Sequence, residues 1–375
     1  MADFPGTNNP DTLDGGVDGD SITGLNGNDL LSGNGGADSV YGGGGDDSIY
    51  GGDDDDRIYG SGGNDYLSSS TGPSDDVDSL YGGAGSDVLD LTGQLAAGGS
   101  LASCGDGDDT ASTFISFDDT LYGGGGNDLL IADAGSNVLY FIVDMTNGRV
   151  DDGSLSKITG FERYEVYGDR FADIASFDIG NDFFRGYAGN DTAFGQGGFD
   201  TLYGDSGADS LDGGDGNDSV YGGSQDDLLL GMAGNDYLVG GSGADVVYAG
   251  AGADRIILQQ GNDTVTGGSG TDRFMFNETV SGQHLIMDFD GSADSLEFNA
   301  GLLQSGAPSG ALDPSQFNIG TAVGSQAQFV LRYDAAEDLT YLDWDVNGDD
   351  PSGAVLALAV FDGNVTVQAD DILIT

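Results

Sequence analysis

The chain has 375 residues, 70 of them glycine, and sets 65 acidic against 9 basic side chains for a net charge of −56. A chain this acidic repels nucleic acid and anionic membranes, which excludes both as natural partners. Its one cysteine excludes an intrachain disulfide, and no apolar run approaches the roughly 20 residues that span a bilayer.

Met1 to Pro10 has neither a basic region nor an apolar core, so no signal peptide is visible there. A nine-residue period begins at Gly6. Its aspartates are Asp11, Asp20, Asp29, Asp38, Asp47, Asp56 and Asp65, and an apolar residue follows each by two: Leu13, Ile22, Leu31, Val40, Ile49, Ile58 and Leu67. Ser69 to Gly72 is an insertion, after which the period resumes with Asp78 and Leu80, then Asp87 and Leu89. The register is expected to fail across Leu91 to Ser103. Weaker copies follow around Asp109, Asp119 and Asp128, and Asn137 stands where the next aspartate belongs. Val138 to Val143 reads as a buried strand leading into Tyr140 to Tyr167, a β insert.

Gly168 to Met275 is twelve unbroken nonapeptides of the form G-G-x-G-x-D-x-U-x, with U apolar. The sixth position is always aspartate: Asp173, Asp182, Asp191, Asp200, Asp209, Asp218, Asp227, Asp236, Asp245, Asp254, Asp263 and Asp272. At the fourth position Phe171 and Gln225 replace glycine. Beyond Phe276 the glycines thin. Leu285 to Gly291 and Asp294 to Phe298 read as a closing coil. Phe329 to Tyr333, Thr340 to Asp345, Val355 to Phe361 and Asn364 to Gln368 read as antiparallel strands joined by Gly/Asp turns.

This period is the signature of a calcium-binding solenoid. Glycine runs turn sharply and aim carbonyls into one concavity, and calcium takes about six to eight hard oxygen ligands. The residues after each aspartate have room for a brief strand, which sends the apolar side chain inward. Two nonapeptides make one coil, so aspartates eighteen apart stack on one edge with ions between coils. Low hydrophobicity and high charge would otherwise mean disorder; the periodic aspartates imply a fold that awaits metal. The candidate ligands are the seven aspartates of the first block, Asp78, Asp87, Asp128, and the series from Asp182 to Asp272. Asn137 should end ion binding at its coil.

The nonapeptides resemble the RTX family, whose members leave the cell by type I secretion. Phe274-Met275-Phe276, Ile286 to Phe289, Tyr333-Asp334 and Leu339 to Asp345 look like the C-terminal region of serralysin-type secreted proteins. The resemblance implies an uncleaved export signal at the extreme C-terminus, and Asp371-Ile372-Leu373-Ile374, acidic then apolar, matches it. The departure is at the other end, where five residues precede the repeats instead of a catalytic domain.

Enzyme chemistry finds little support. A His-Glu-x-x-His zinc site needs two histidines and the chain has only His284; a Ser-His-Asp triad would need that same histidine beside a nucleophile elbow, and no G-x-S-x-G is present. His284 reads as structural and Cys104 as an incidental thiol. The carboxylates read as members of an ion lattice rather than as an isolated pair for glycoside chemistry. Outward positions carry Phe183, Tyr203, Tyr221, Tyr237, Val239, Ile257 and Met275. They read first as cross-strand sheet stabilisation, second as a contact face.

The sequence therefore predicts an all-β protein with no catalytic role: a calcium-binding parallel β-roll in two blocks (6–90 and 168–275), with degenerate repeats and a β insert (91–167) and a C-terminal antiparallel region (276–375). It should be extracellular, with a surface-layer, matrix or adhesive role. The alternative is a calcium-dependent carbohydrate-binding module. The partners implied are calcium, the type I apparatus, and a polysaccharide, a cell surface or the chain itself.

Overall fold

The structure is a computed structural model that describes residues 1–69, 76–92, 100–114, 120–133, 142–144, 149–150, 157–159, 161–276, 283–299, 310–311, 317–319, 328–345, 355–363 and 365–374. Two compact units divide the chain, Met1–Phe184 and Arg185–Thr375. Among the described residues no helix is long and apolar enough to cross a membrane.

Each nonapeptide folds as its composition dictates. Gly43 and Gly45 adopt φ of 117° and 118°. A Cβ on Gly43 would lie 1.9 Å from the Leu25 carbonyl oxygen of the preceding coil. Glycine is thus required there for handedness and for close approach. The strand that precedes or follows each turn points its eighth-position side chain inward.

In Met1–Phe184 successive strands alternate between two parallel sheets. One holds Ser21–Asn26, Ser39–Gly44, Arg57–Gly62, Ser79–Ala84, Leu101–Asp106 and Thr120–Gly125. The other holds Leu30–Gly35, Ser48–Asp53, Tyr66–Ser68, Val88–Leu91, Thr110–Phe114, Leu129–Asp133 and Arg163–Tyr167. The register pairs like repeat positions, so Ile22, Val40, Ile58, Leu80, Ala102 and Leu121 form one column. None of the six is more than 1% exposed. Each buried Val, Leu or Ile of such a column stabilises the roll by about 1.5–3 kcal/mol.

Arg185–Thr375 repeats the plan. Leu211, Leu229, Val247, Val265 and Ile286 make one column. Leu202, Val220, Leu238, Ile256, Phe274, Leu296 and Ile372 make the other. Strands Gln328–Asp334, Leu339–Asp345 and Val355–Asp362 form an antiparallel sheet. Its third strand also pairs in parallel with Leu285–Ile286, through Leu285↔Val360 and Ile286↔Phe361, which seats the sheet on the last coil.

Three expectations change. The register does not fail through Ser103: Leu101–Asp106 pairs with strands on both sides, because Ala102 and Cys104 are small enough to fill the core, fully buried. Lys157–Thr159 and Arg163–Tyr167, the end of the expected insert, pair in parallel with Thr120–Gly125 and Leu129–Asp133 and so are strands of the roll. Residues 365–368 form no strand; the strand that ends the chain is Ile372–Ile374, which pairs with Ser295–Phe298. The expectations for Asp119, Asn137 and residues 138–141 lie outside the described residues.

Candidate metal centre

The sixth-position aspartates form hydrogen-bonded ladders. In the first unit the backbone N–H of Asp20 donates to Oδ1 of Asp38, Asp38 to Asp56 and Asp56 to Asp78, at 2.6, 2.7 and 2.8 Å. The other edge runs Asp11, Asp29, Asp47, Asp65, Asp87, Asp109 and Asp128, at 2.7–3.0 Å. In the second unit one ladder links Asp191, Asp209, Asp227, Asp245 and Asp263. The other links Asp200, Asp218, Asp236, Asp254 and Asp272. Asp182 accepts from the Tyr164 N–H at 2.8 Å.

Each such carboxylate spends one oxygen on its neighbour. The second oxygen, Oδ2, is buried without a hydrogen-bond partner at Asp29, Asp38, Asp47, Asp56, Asp65, Asp87, Asp109, Asp128, Asp209, Asp218, Asp227, Asp236, Asp245, Asp254 and Asp272. These are costly groups to bury unless something compensates them. What surrounds them is a cradle. A Cβ on Gly24 would sit 2.3 Å from Asp29 Oδ2 and 2.6 Å from the Gly42 carbonyl oxygen. Gly33 makes the same approach to Asp38 and Gly51, and Gly204 to Asp209 and Gly222. Glycine therefore keeps open a space in which a carboxylate oxygen and a carbonyl oxygen converge.

The electrostatics point the same way. Burial pushes Asp56 and Asp227 up to about 8, Asp236 to about 7, and Asp47, Asp65, Asp87, Asp128, Asp245 and Asp272 to about 6. The backbone N–H on Oδ1 pulls each down but loses to desolvation, and neighbouring aspartates add to the rise. Anionic carboxylates stacked in this way call for cations between them. Oxygen-only donors, part carboxylate and part carbonyl, suit a hard divalent ion.

A pattern described as the RTX calcium-binding nonapeptide repeat matches residues 5–40, 32–67, 74–93 and 116–141, then an overlapping run from 167–202 to 239–274. Together these matches cover more than half of the chain. The chain belongs to the RTX calcium-binding repeat family. Its repeats bind calcium at multiple sites. One solved structure similar to this RTX chain is a hyperactive, Ca2+-dependent, β-helical antifreeze protein from an Antarctic bacterium, at 18% identity and a TM-score of 0.27 over 79% of this chain and 83% of that one. No curated protein gives a significant match.

Several ladder members are not aspartates of the period. Ser100 Oγ accepts the Asp78 N–H at 3.3 Å, and Glu162 Oε2 accepts the Asp128 N–H at 2.9 Å. Asp294 accepts from Asp272 at 3.0 Å and from the Asp290 N–H at 2.8 Å. His284, fully buried, lies with Nδ1 2.9 Å from Asp263 Oδ2. At the first coils Asp11 accepts the Thr7 N–H on Oδ2, and Asp20 accepts the Ala2 N–H on Oδ1 and the Gly16 N–H on Oδ2. Cys104 sits buried beside Asp109, and burial raises its thiol far above the ordinary range, so it is unreactive.

A second, exposed ladder lies beside the first, built from the fifth position. Asn28 Oδ1 accepts the Asp46 N–H, Asp46 Oδ1 the Asn64 N–H and Asn64 Oδ1 the Ser86 N–H, at 3.1, 2.9 and 2.8 Å. Asn217 and Asn235 continue the rule in the second unit, each at 2.7 Å. Its donors point back along the chain, opposite to those of the buried ladder.

The outward aromatics stack on one another. Tyr41, Tyr59 and Tyr81 lie 4.7 and 4.8 Å apart with ring planes within 5°. Tyr203 and Tyr221 stack at 4.5 Å, and Tyr237 tilts against Tyr221 at 5.9 Å. Ile257 and Met275, which extend that row, are buried.

Proposed function

We propose that this chain is a secreted structural or interaction protein, of the surface-layer, matrix or adhesive kind, whose rolls fold outside the cell when calcium arrives. The observation that carries the reading is the row of buried, unpartnered Oδ2 atoms, most of them facing a glycine cradle. The proposed ligands are the aspartates bearing those atoms, Asp109 among them. Asp78, Asp182, Asp191 and Asp200 hold the same repeat position. In this reading the segments 6–90 and 168–275 are the two calcium blocks, 91–167 the degenerate repeats with their insert, and 276–375 the closing and export region. Calcium would be held by carboxylate and carbonyl oxygens and would neutralise the stack; no catalytic group enters the reading.

Export is proposed to use the type I route, with an uncleaved signal at Asp371 to Ile374 in a serralysin-like C-terminal region. The folded chain buries Ile372 and Ile374 against the roll, so the signal would be read before folding. The stacked tyrosines favour the structural role over carbohydrate binding. A sugar ring packs on an open aromatic face, and in these rows the faces are closed on each other.

Folding is the direct test. Ligand that binds only the folded state supplies its stability, so a strong chelator should abolish the β signal in circular dichroism and restored calcium should return it. A β signal that persists in metal-free protein at about pH 8, where the buried carboxylates are least protonated, would sink the reading. A panel of polysaccharides with and without calcium separates the two roles: tight, calcium-dependent sugar binding would favour the module.

A further inference from the structure

We propose that His284 takes the place of a calcium ion at Asp263, so that this ladder closes on an imidazole instead of a metal. The proposal rests on the ladder aspartates being calcium ligands. The Leu285 N–H donates to the Asp263 carbonyl at 2.8 Å, and Val265 pairs with Ile286. That register puts His284 at the sixth position of the next coil, where an aspartate would stand. Its side chain is fully buried, with Nδ1 2.9 Å from Asp263 Oδ2. The other oxygen, Oδ1, accepts the Asp245 N–H at 3.1 Å. Oδ2 of Asp263 therefore has a nitrogen at ion-pair distance, although neither ring nitrogen of His284 makes a hydrogen bond, whereas Oδ2 of Asp245, one coil earlier, has no partner.

The cradle has changed as well. Gly240 precedes Asp245 by five residues, and a Cβ there would lie 2.4 Å from Oδ2. The same place before Asp263 is Leu258, a buried side chain. A Cβ alone does not remove a site, since Ala249 stands before Asp254 and the Asp254 Oδ2 is still unpartnered. The imidazole decides it: its Nδ1 stands 2.9 Å from Oδ2, at the place where a cation would bind. The His284 carbonyl in turn accepts the Val360 N–H at 2.8 Å. The coil on which the antiparallel sheet is seated is thus completed by protein groups alone.

Bound calcium is counted by native mass spectrometry on the full chain, saturated with calcium, for wild type, Asp245→Asn, Asp263→Asn and His284→Asp. Asp245→Asn should lose an ion, Asp263→Asn should keep the wild-type count, and His284→Asp should gain one. Loss of an ion in Asp263→Asn, matching Asp245→Asn, overturns the proposal. An unchanged count in Asp245→Asn overturns the ladder reading itself, and this proposal with it. Wild type gives a readout that needs no variant to fold. His284 is the chain's single histidine, so its ring nitrogens are unambiguous by NMR. A protonated Nδ1 in the calcium-saturated protein is expected, and a bare Nδ1 overturns the assignment.

Discussion

From Asp200 to Asp272 every coil is 18 residues long, and the N–H···Oδ1 contacts span 2.8–3.0 Å. From Asp56 and Asp65 to Asp128 the coils stretch to 22 and 19 residues, yet the same contacts span 2.7–3.0 Å. The ladder is therefore not a product of the count. Each coil aligns on its neighbour through one buried bond, whatever the number of residues between ladder positions. That is the nearest-neighbour logic of a solenoid, where stability sums over repeats and their interfaces. The limit shows where the side chain changes. Ser100 is shorter than aspartate and its contact lengthens to 3.3 Å; Glu162 is longer and reaches Asp128 at 2.9 Å although 34 residues separate them.

The strongest way to break this comparison is to remove one rung from each region. Asp218→Ala in the regular coils and Asp87→Ala in the stretched ones each strand a buried N–H, of Asp200 and Asp65 respectively. Leaving such a donor unsatisfied costs about 1–3 kcal/mol, beyond the loss of the proposed ion ligand. Both variants should raise the calcium midpoint for folding to a similar extent in titrations followed by circular dichroism. A far milder effect at Asp87 would mean that stretched coils do not share the rule.

A smaller effect concerns protons. The buried aspartates carry raised pKa values in the folded chain, about 8 for Asp56 and Asp227 and about 6 for Asp87 and Asp245. Unfolded, they titrate near 3.8. Between these values the folded state binds more protons than the unfolded one, so its stability falls as pH rises. The contribution is complete below the unfolded pKa and lost as pH climbs through the folded values. In chelator, acidification from about pH 8 to about pH 5 should therefore restore part of the β signal. A flat profile would remove the desolvation account of both regions.

The smallest effect is backbone strain. Met232 in the regular coils and Ser61 in the first unit both hold left-handed φ, 74° and 85°. Met232 is also half exposed. Replacement by glycine should relieve about 1 kcal/mol at each site, read as a higher thermal midpoint in saturating calcium. Destabilisation by Met232→Gly would show that the turn depends on the side chain.

How much of this is legible in the sequence follows from what a period can carry. The eighth-position core and the aspartate ladder are identities at fixed spacing, so they read directly. Ser100, Glu162 and His284 share no residue type with aspartate and follow stretched coils, and only pairing across coils reveals them. The fifth-position ladder hides for another reason. Asn28, Asp46 and Asn64 look like an ordinary polar surface until the direction of their bonds is seen. At the other extreme, Asn364 to Gln368 has the alternation of a strand, but the final Ile372–Ile374 takes the place beside Ser295–Phe298. Local pattern cannot say which of two β-prone stretches wins an edge.

The exposed ladder also bears on how the protein ages. Asparagine side chains facing water lose their amide slowly; the route through a cyclic imide also gives isoaspartate, whereas direct hydrolysis gives aspartate. At Asn28, Asn64, Asn217 and Asn235 the group that holds the next coil is the Oδ1 oxygen, which a conversion to aspartate retains. Asp46 and Asp226 already fill the same place with the same bond. Direct hydrolysis of these amides to aspartate would leave every rung made and add only negative charge, so a long-lived molecule could accumulate that change without losing its ladder.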